Sequence, residues 1–138
     1  MGDLVRFGVS MEADLLKQFD DLIEKRHCAN RSEALRDLVR AAIVENQWQH
    51  GSSRTVGVVC LVYDHEMGDV GHKLTHIQHE SPVQIVSSMH VHLDHHNCLE
   101  TIVLRGKPHE IQQTADQLVS LRGVKLGKLV MGHTGHGL

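Results

Sequence analysis

Two histidines and a cysteine lie close together in the middle of the chain. His90 and His92 are two residues apart, and Cys98 follows after the polar segment 94–97. Side chains two residues apart on a β-strand point to the same face of the sheet, so the two imidazoles could share one ion, and the polar turn could return the thiolate to it. Two nitrogens and one sulfur suit Zn(II), Ni(II), Cu or Co(II), whereas Mg(II) and Ca(II) prefer oxygen. The pattern therefore predicts a metal site.

Each of these residues has an ordinary structural role when it occurs alone. A histidine on a strand is often a hydrogen-bonded surface residue, and a single cysteine is often a small buried hydrophobe. The set of three at this spacing favours a metal, although it is not a zinc-finger spacing, because the sequence has no Cys-x-x-Cys pair. Three ligands leave one position open, which could hold water, as in a catalytic site, or a ligand from elsewhere.

The segment that carries the histidines has the alternating pattern of a half-buried strand. On this pattern His90 and His92 share one face. The apolar side chains are expected to share the other face: Val83, Ile85, Met89, Val91 and Leu93.

Composition limits the class of protein. The 138 residues suffice for one ordinary domain or two small ones. No apolar run is long enough to cross a membrane, and no signal segment opens the chain. The three cysteines, at wide spacings, do not suggest a disulfide framework. We therefore expect a cytoplasmic protein without a membrane partner.

Residues 1–48 predict a strand followed by two helices. Residues 4–10 alternate apolar and polar side chains, and residues 15–23 and 34–43 carry apolar stripes at helical spacing. A lone strand has no hydrogen-bond partner in its own chain, and two such helices make too small a core. The strand is therefore expected to pair with the same strand of a second copy.

The remainder of the chain predicts a second domain. Residues 49–54 are rich in glycine and serine and are expected to form a linker. Residues 55–133 show strand and helix patterns in the order β-α-β-β-α-β, which is the ferredoxin-like arrangement. Residues 134–138 are expected to form a mobile tail. The predicted fold class is α+β.

A strand-helix-helix dimer is typical of proteins that place the paired strands, as a ribbon, in the major groove of DNA. Arg6, Gly8 and Ser10 would face the DNA, and Arg6 could bind guanine O6 and N7. The start of the second helix, at Arg31 and Ser32, could donate backbone N–H groups to a phosphate. The first fifty residues carry seven Lys and Arg against nine Asp and Glu, so any positive charge at this interface must be local.

The sequence resembles the NikR family of nickel-responsive repressors over nearly its whole length. The matching stretches are residues 5–10, 30–40, 79, 90–92, 98–100 and 103–106. The Asn-Arg-Ser-Glu-Ala segment alone is common among ribbon-helix-helix proteins, but the His-Val-His…Cys arrangement behind this N-terminal half is specific. The resemblance implies a ribbon-helix-helix DNA-binding domain joined to an ACT-like metal domain. It also implies a homotetramer, a dimer of dimers with the metal domains at its centre.

The resemblance also implies a complete ligand set. His90, His92 and Cys98 of one chain would bind one Ni(II) per chain in a square plane, and His79 of a neighbouring chain would supply the fourth ligand. A closed site of this kind is expected of a sensor rather than an enzyme.

Two further features concern the DNA-binding half. By the resemblance, Glu33 and Asp37 match a second, weaker cation site, although solvated surface carboxylates are nearly as good an interpretation. Gly8 stands where relatives often have threonine, so one base-reading side chain is missing.

These features predict a nickel-responsive repressor, not an enzyme, that binds a double-stranded DNA operator of nickel-uptake genes. One alternative is a metal-dependent hydrolase or a nickel chaperone built on residues 55–138. A hydrolase would need an exchangeable coordination position and a base, and no His-Glu-x-x-His helix is present. Another alternative is an antitoxin-type ribbon-helix-helix repressor, which would lack a folded metal domain.

Overall fold

The computed structural model describes residues 2–67 and 69–138. Within them lie the helices α1 (Ala13–Lys25), α2 (Arg31–His50), α3 (Val70–Glu80) and α4 (Pro108–Val119), and the strands β1 (Thr55–Asp64), β2 (Gln84–His92), β3 (Asn97–Gly106) and β4 (Val124–Met131). The chain divides into two compact units, Met1–Ala41 and Ala42–Leu138. In the part of the chain so described, every helix is too short or too polar to cross a membrane.

The first unit contains α1 and the first half of α2 and has almost no core of its own. Of the hydrophobic side chains in residues 2–41, only Ala34 is buried. Leu15, Leu22 and Leu38 stay between 39% and 50% exposed. Apolar stripes left this open are expected of a domain whose core is completed by a second copy.

Local side-chain and backbone chemistry shapes the turn between α1 and α2. His27 takes a positive φ of 55°, which reverses the chain after α1. Asn30 caps α2, because its Oδ1 accepts a 2.8 Å hydrogen bond from the backbone N–H of Glu33. The guanidinium of Arg31 donates two hydrogen bonds of 2.9 Å to the carboxylate of Asp20, which ties the start of α2 to α1.

Residues 2–12 form neither helix nor strand in the single chain, although residues 4–10 are predicted to be a strand. Their apolar side chains are open to solvent, with Leu4 88% and Phe7 75% exposed. A strand needs a hydrogen-bonded neighbour, and the predicted neighbour is the same segment of a second copy. The predicted strand therefore requires a second copy of the chain, and the prediction is not tested by the structure of one chain.

Helix α2 is longer than the sequence predicted. It continues through Trp48 to His50, so the first two residues of the expected linker are helical. Trp48 is 8% exposed, and its Nε1–H donates a 3.0 Å hydrogen bond to the carbonyl of Gly132. Gly57 of β1 makes room for the indole, because a Cβ there would lie 3.0 Å from the ring. Packing of Trp48 into the core of the second unit therefore extends the helix.

The second unit is a four-stranded antiparallel sheet in the order β2-β3-β1-β4. With α3 after β1 and α4 after β3, this confirms the predicted ferredoxin-like fold. One face of the sheet packs against the two helices in an aliphatic core. Its fully enclosed members include Val59, Leu61, Leu74, Ile102, Leu104, Ile111 and Leu118.

The predicted alternation of apolar and polar faces is wrong in the first half of β2. The register of β2 against β3 shifts between Ile85 and Ser87, which leaves Val86 as an extra residue. The extra residue reverses the alternation of the side chains that follow it. Ile85, before the bulge, and His90, after it, therefore lie on the same, helix-covered face of the sheet. Met89 lies on the other face and is 59% exposed.

The second face of the sheet is apolar and open in the single chain. Val91, Leu126 and Val130 lie on it and are 39% to 59% exposed. An antiparallel sheet usually presents polar side chains on a face that meets water, so an apolar face indicates further burial.

Candidate metal centre

The turn between β2 and β3 sets the positions of the candidate ligands. One carboxylate oxygen of Asp94 accepts 2.8 Å hydrogen bonds from the backbone N–H groups of His96 and Asn97. Hydrogen bonds from the Asn97 side chain and from these backbone groups hold the pKa of the Asp94 carboxyl well below its usual range, so this acceptor stays charged. The resulting register places His92 directly opposite Cys98.

His90, His92 and Cys98 converge at the end of this hairpin. Each offers a ligand atom within 4.8 Å of the other two. The Cys98 Sγ lies 3.5 Å from Nδ1 of His92, and the two imidazole centroids are 4.9 Å apart. Since bonds from a metal to nitrogen or sulfur are about 2.0–2.3 Å long, shifts of about 1 Å would close these atoms around one ion. The donor set fits a borderline ion such as Ni(II) or Zn(II).

Cys98 is completely buried. Burial raises the pKa of its thiol, and the carboxylates of Asp94, Glu100 and Asp64 raise it further. A metal binds the thiolate, so binding here would displace the thiol proton. His90 and His92, by contrast, are exposed, so an ion could reach the site from their side.

Two residues that sequence reasoning missed contact this site. The Tyr63 hydroxyl lies 3.2 Å from Nδ1 of His90, and burial raises the pKa of Tyr63 to about 12, so it stays protonated at neutral pH. Glu100 lies opposite His90 in the β2–β3 ladder, where burial raises the pKa of its carboxyl. The sequence could have indicated the role of Tyr63, because a tyrosine on the buried face of a strand needs a hydrogen-bond partner for its hydroxyl.

His79 lies in the last turn of α3 and is exposed. Within residues 2–67 and 69–138, the group that converges on Cys98 consists of His90 and His92 and does not include His79. Its role as a ligand to another chain stays a prediction.

Glu33 and Asp37, the predicted second cation site, pair with arginines of their own helix. Glu33 forms an ion pair with Arg36, and a carboxylate oxygen of Asp37 lies 3.5 Å from the guanidinium of Arg40. Exposed pairs of this spacing contribute only a few tenths of a kcal/mol, about 0.2–0.5. The ion pairs favour the interpretation of these residues as surface carboxylates, and the cation site stays a prediction.

The predicted DNA-binding residues occupy two places in the first unit. Arg6, Gly8 and Ser10 lie in the exposed segment 2–12. Arg31 and Ser32 are the first two residues of α2, where backbone N–H groups have no partner within the helix.

Two protein-family models match this chain, one in each half. The family model described as "NikR C terminal nickel binding domain" matches residues 56–132. The model described as "Ribbon-helix-helix protein, copG family" matches residues 5–45.

Three similar proteins match this chain over nearly its whole length. A protein of Geobacter sp. strain M21 is 55% identical over 138 residues, covering 100% of this chain and 99% of its own. One of Caldanaerobacter subterraneus is 55% identical over 135 residues, covering 98% and 88%. One of Pyrococcus furiosus is 50% identical over 135 residues, covering 98% of each. All three are named as nickel-responsive regulators.

Among solved structures, the ACT domain of a GTP pyrophosphokinase from Chlorobium tepidum is similar in fold. The TM-score is 0.51 at 11% sequence identity, and the match covers 56% of this chain and 100% of that domain. At this identity the similarity shows an ACT-like fold and nothing about ligands.

Proposed function

The chain belongs to the NikR family of nickel-responsive regulators, and from that premise we propose that it is a repressor whose binding to a double-stranded DNA operator depends on Ni(II). The genes we propose as its targets are those of nickel uptake. The observation that carries the proposal is the convergence of His90, His92 and Cys98 behind a ribbon-helix-helix domain.

The proposed ligand set is His90, His92 and Cys98 of one chain with His79 of a second copy, holding one Ni(II) per chain. These four residues would hold the ion, and its coordination bonds would link the two chains. Tyr63 orients His90 through its hydroxyl, and the β2–β3 hairpin holds His92 opposite Cys98. Four protein ligands would leave no position for a substrate, which fits a regulator and not a hydrolase.

The proposed assembly is a homotetramer built as a dimer of dimers. Two exposed apolar surfaces support it. In the first unit, Leu15 and Leu38 are open to a second copy, which would also pair with residues 4–10. In the second unit, the open sheet face around Val91 and Val130 is available for contacts between metal domains.

The proposed DNA interface is the ribbon formed by residues 4–10 of two copies, with the starts of the two α2 helices on the phosphates. Nickel would act by population shift, favouring arrangements of the DNA-binding domains that fit two half-sites. This arrangement distinguishes the proposal from a nickel chaperone, which needs no defined DNA site.

The test is an operator titration with and without Ni(II). A duplex selected from random DNA by the nickel-loaded full-length chain is titrated at fixed salt. We expect Ni(II) to tighten binding by a factor of about 5–150, the usual range for coupled sites. Cys98→Ala serves as the matched control and should abolish the nickel dependence. Equal affinity of the unaltered chain in both conditions would overturn the proposal.

A further inference from the structure

We propose that Asp64, Glu66 and His96 form a carboxylate–imidazole cation site, separate from the thiolate-containing site and from Glu33 and Asp37. It would take Zn(II) or a similar borderline ion through two carboxylate oxygens and one imidazole nitrogen, with water in the remaining positions. Each of the three residues offers a ligand atom within 4.8 Å of the other two.

The backbone of two neighbouring turns positions the three side chains. Asp64 is the last residue of β1, and Glu66 follows in the turn after it. His96 lies in the turn between β2 and β3. Its carbonyl accepts a 2.9 Å hydrogen bond from the backbone N–H of His65. Residues thirty positions apart in the chain are thereby held side by side, and Nδ1 of His96 lies 2.8 Å from a carboxylate oxygen of Glu66.

Further hydrogen bonds hold both turns before any ion binds. One carboxylate oxygen of Asp64 accepts a 2.9 Å hydrogen bond from the backbone N–H of Glu66. The other carboxylate oxygen of Asp64 takes no part in that bond and could bind an ion. The Asp94 carboxylate holds the backbone N–H of His96 at 2.8 Å. The side chains of Glu66 and His96 are exposed, so they can move by the ångström needed to close on an ion.

Charge and donor type determine the class of ion. The two carboxylates neutralise a dication, and the imidazole favours a borderline ion over Mg(II) or Ca(II), which prefer oxygen alone. His65 is not one of the three converging residues, and its Nε2 lies 2.6 Å from the carbonyl of His95. The ring of His65 also packs edge-on against His92, at 6.2 Å between centroids. The carboxylate–imidazole site therefore lies near the thiolate-containing site and shares no ligand with it.

The alternative is an ordinary surface ion pair between His96 and Glu66. Metal binding by the full-length chain separates the two interpretations. In a reduced, metal-free His90→Ala, Cys98→Ala background, which removes the first site, we expect titration calorimetry with Zn(II) to show one ion per chain. Adding Asp64→Asn or His96→Gln should weaken that binding at least tenfold. Asp64→Asn keeps the acceptor for the Glu66 N–H, so the turn should persist by circular dichroism.

His95→Gln is the matched control, because His95 is an exposed histidine of the same turn outside the cluster. It should leave Zn(II) affinity unchanged. The proposal is overturned if His96→Gln has no effect, if His95→Gln weakens binding equally, or if replacing His133 and His136 of the tail removes the ion. None of these measurements involves DNA, so their outcome is independent of the proposed function.

Discussion

At the scale of single residues, Tyr63 contacts His90, one of the proposed metal ligands, and is not itself a proposed ligand. The hydroxyl lies 3.2 Å from Nδ1 of His90, and Tyr63 is only 3% exposed. Outer contacts of this kind fix the orientation of a ligating imidazole.

Tyr63→Phe removes the hydroxyl and keeps the ring that packs in the core. We expect Ni(II) affinity to fall by about 10–100-fold, the usual cost of losing an outer contact of a ligand. The number of ions per chain and the thiolate charge-transfer absorption should be retained, since all ligands remain. Competition titration against a chelator measures the affinity. An unchanged affinity would show that the hydrogen bond does not orient His90.

Arg6 is the residue of the exposed N-terminal segment best suited to reading a base. If it binds guanine through two hydrogen bonds, Arg6→Ala should weaken operator binding by about 1–3 kcal/mol. Nickel affinity should be unaffected, because the proposed ligands lie in the other unit. Arg122→Ala, an exposed arginine of the second unit, is the control in the same binding assay. Retention of full operator affinity by the Arg6 variant at physiological salt would rule out the ribbon assignment.

At the scale of elements, the last turns of α2 depend on Trp48. The indole combines burial with a 3.0 Å hydrogen bond to the carbonyl of Gly132. Packing should contribute more than the hydrogen bond, because a large buried aromatic side chain is worth several kcal/mol and a single hydrogen bond about 1 kcal/mol.

Two substitutions separate these contributions. Trp48→Phe keeps most of the apolar surface and should lower the free energy of unfolding by about 1–2 kcal/mol, whereas Trp48→Ala should lower it by about 3–5 kcal/mol. Urea unfolding of the full-length chain, followed by circular dichroism, measures both. Equal losses would mean that the hydrogen bond, and not the packing, holds the end of α2.

At the scale of the whole molecule, His79 links nickel binding to assembly in the proposed function. His79 precedes β2, whereas His90 lies near its end, eleven residues further along. At ~3.3 Å per residue, most of that stretch spans well over ~20 Å, so His79 can hardly reach the site of its own chain.

His79→Ala should therefore reduce nickel-dependent DNA binding more than nickel binding. Three ligands per chain remain, and we expect Ni(II) still to bind, more weakly. In coupled systems a ligand such as Ni(II) changes the affinity of the other site by about 5–150-fold. In this variant we expect Ni(II) to leave operator affinity almost unchanged. Both constants are measured on the same variant, with His76→Ala, an exposed histidine of the same helix, as control. Equal losses in the two constants would mean that His79 is a ligand without a role in coupling.

The sequence by itself determined the features that depend on near neighbours in the chain. The order of helices and strands follows from hydrophobic periods of about 3.6 and 2, so the ferredoxin-like fold was predictable. His90, His92 and Cys98 were predictable as a cluster because one hairpin carries all three, and the positions of side chains across a short turn depend on local register.

Only the tertiary structure decided what depends on contacts between distant segments. The bulge at Val86, the extension of α2 by Trp48 and the contact of Tyr63 with His90 each arise from packing against another element. The approach of Glu66 to His96 arises in the same way, because β1 pairs with β3 along its whole length and so aligns the turns at their ends. The pairing register is a property of the whole sheet, set by the sum of many contacts, and no local pattern of residue types contains it.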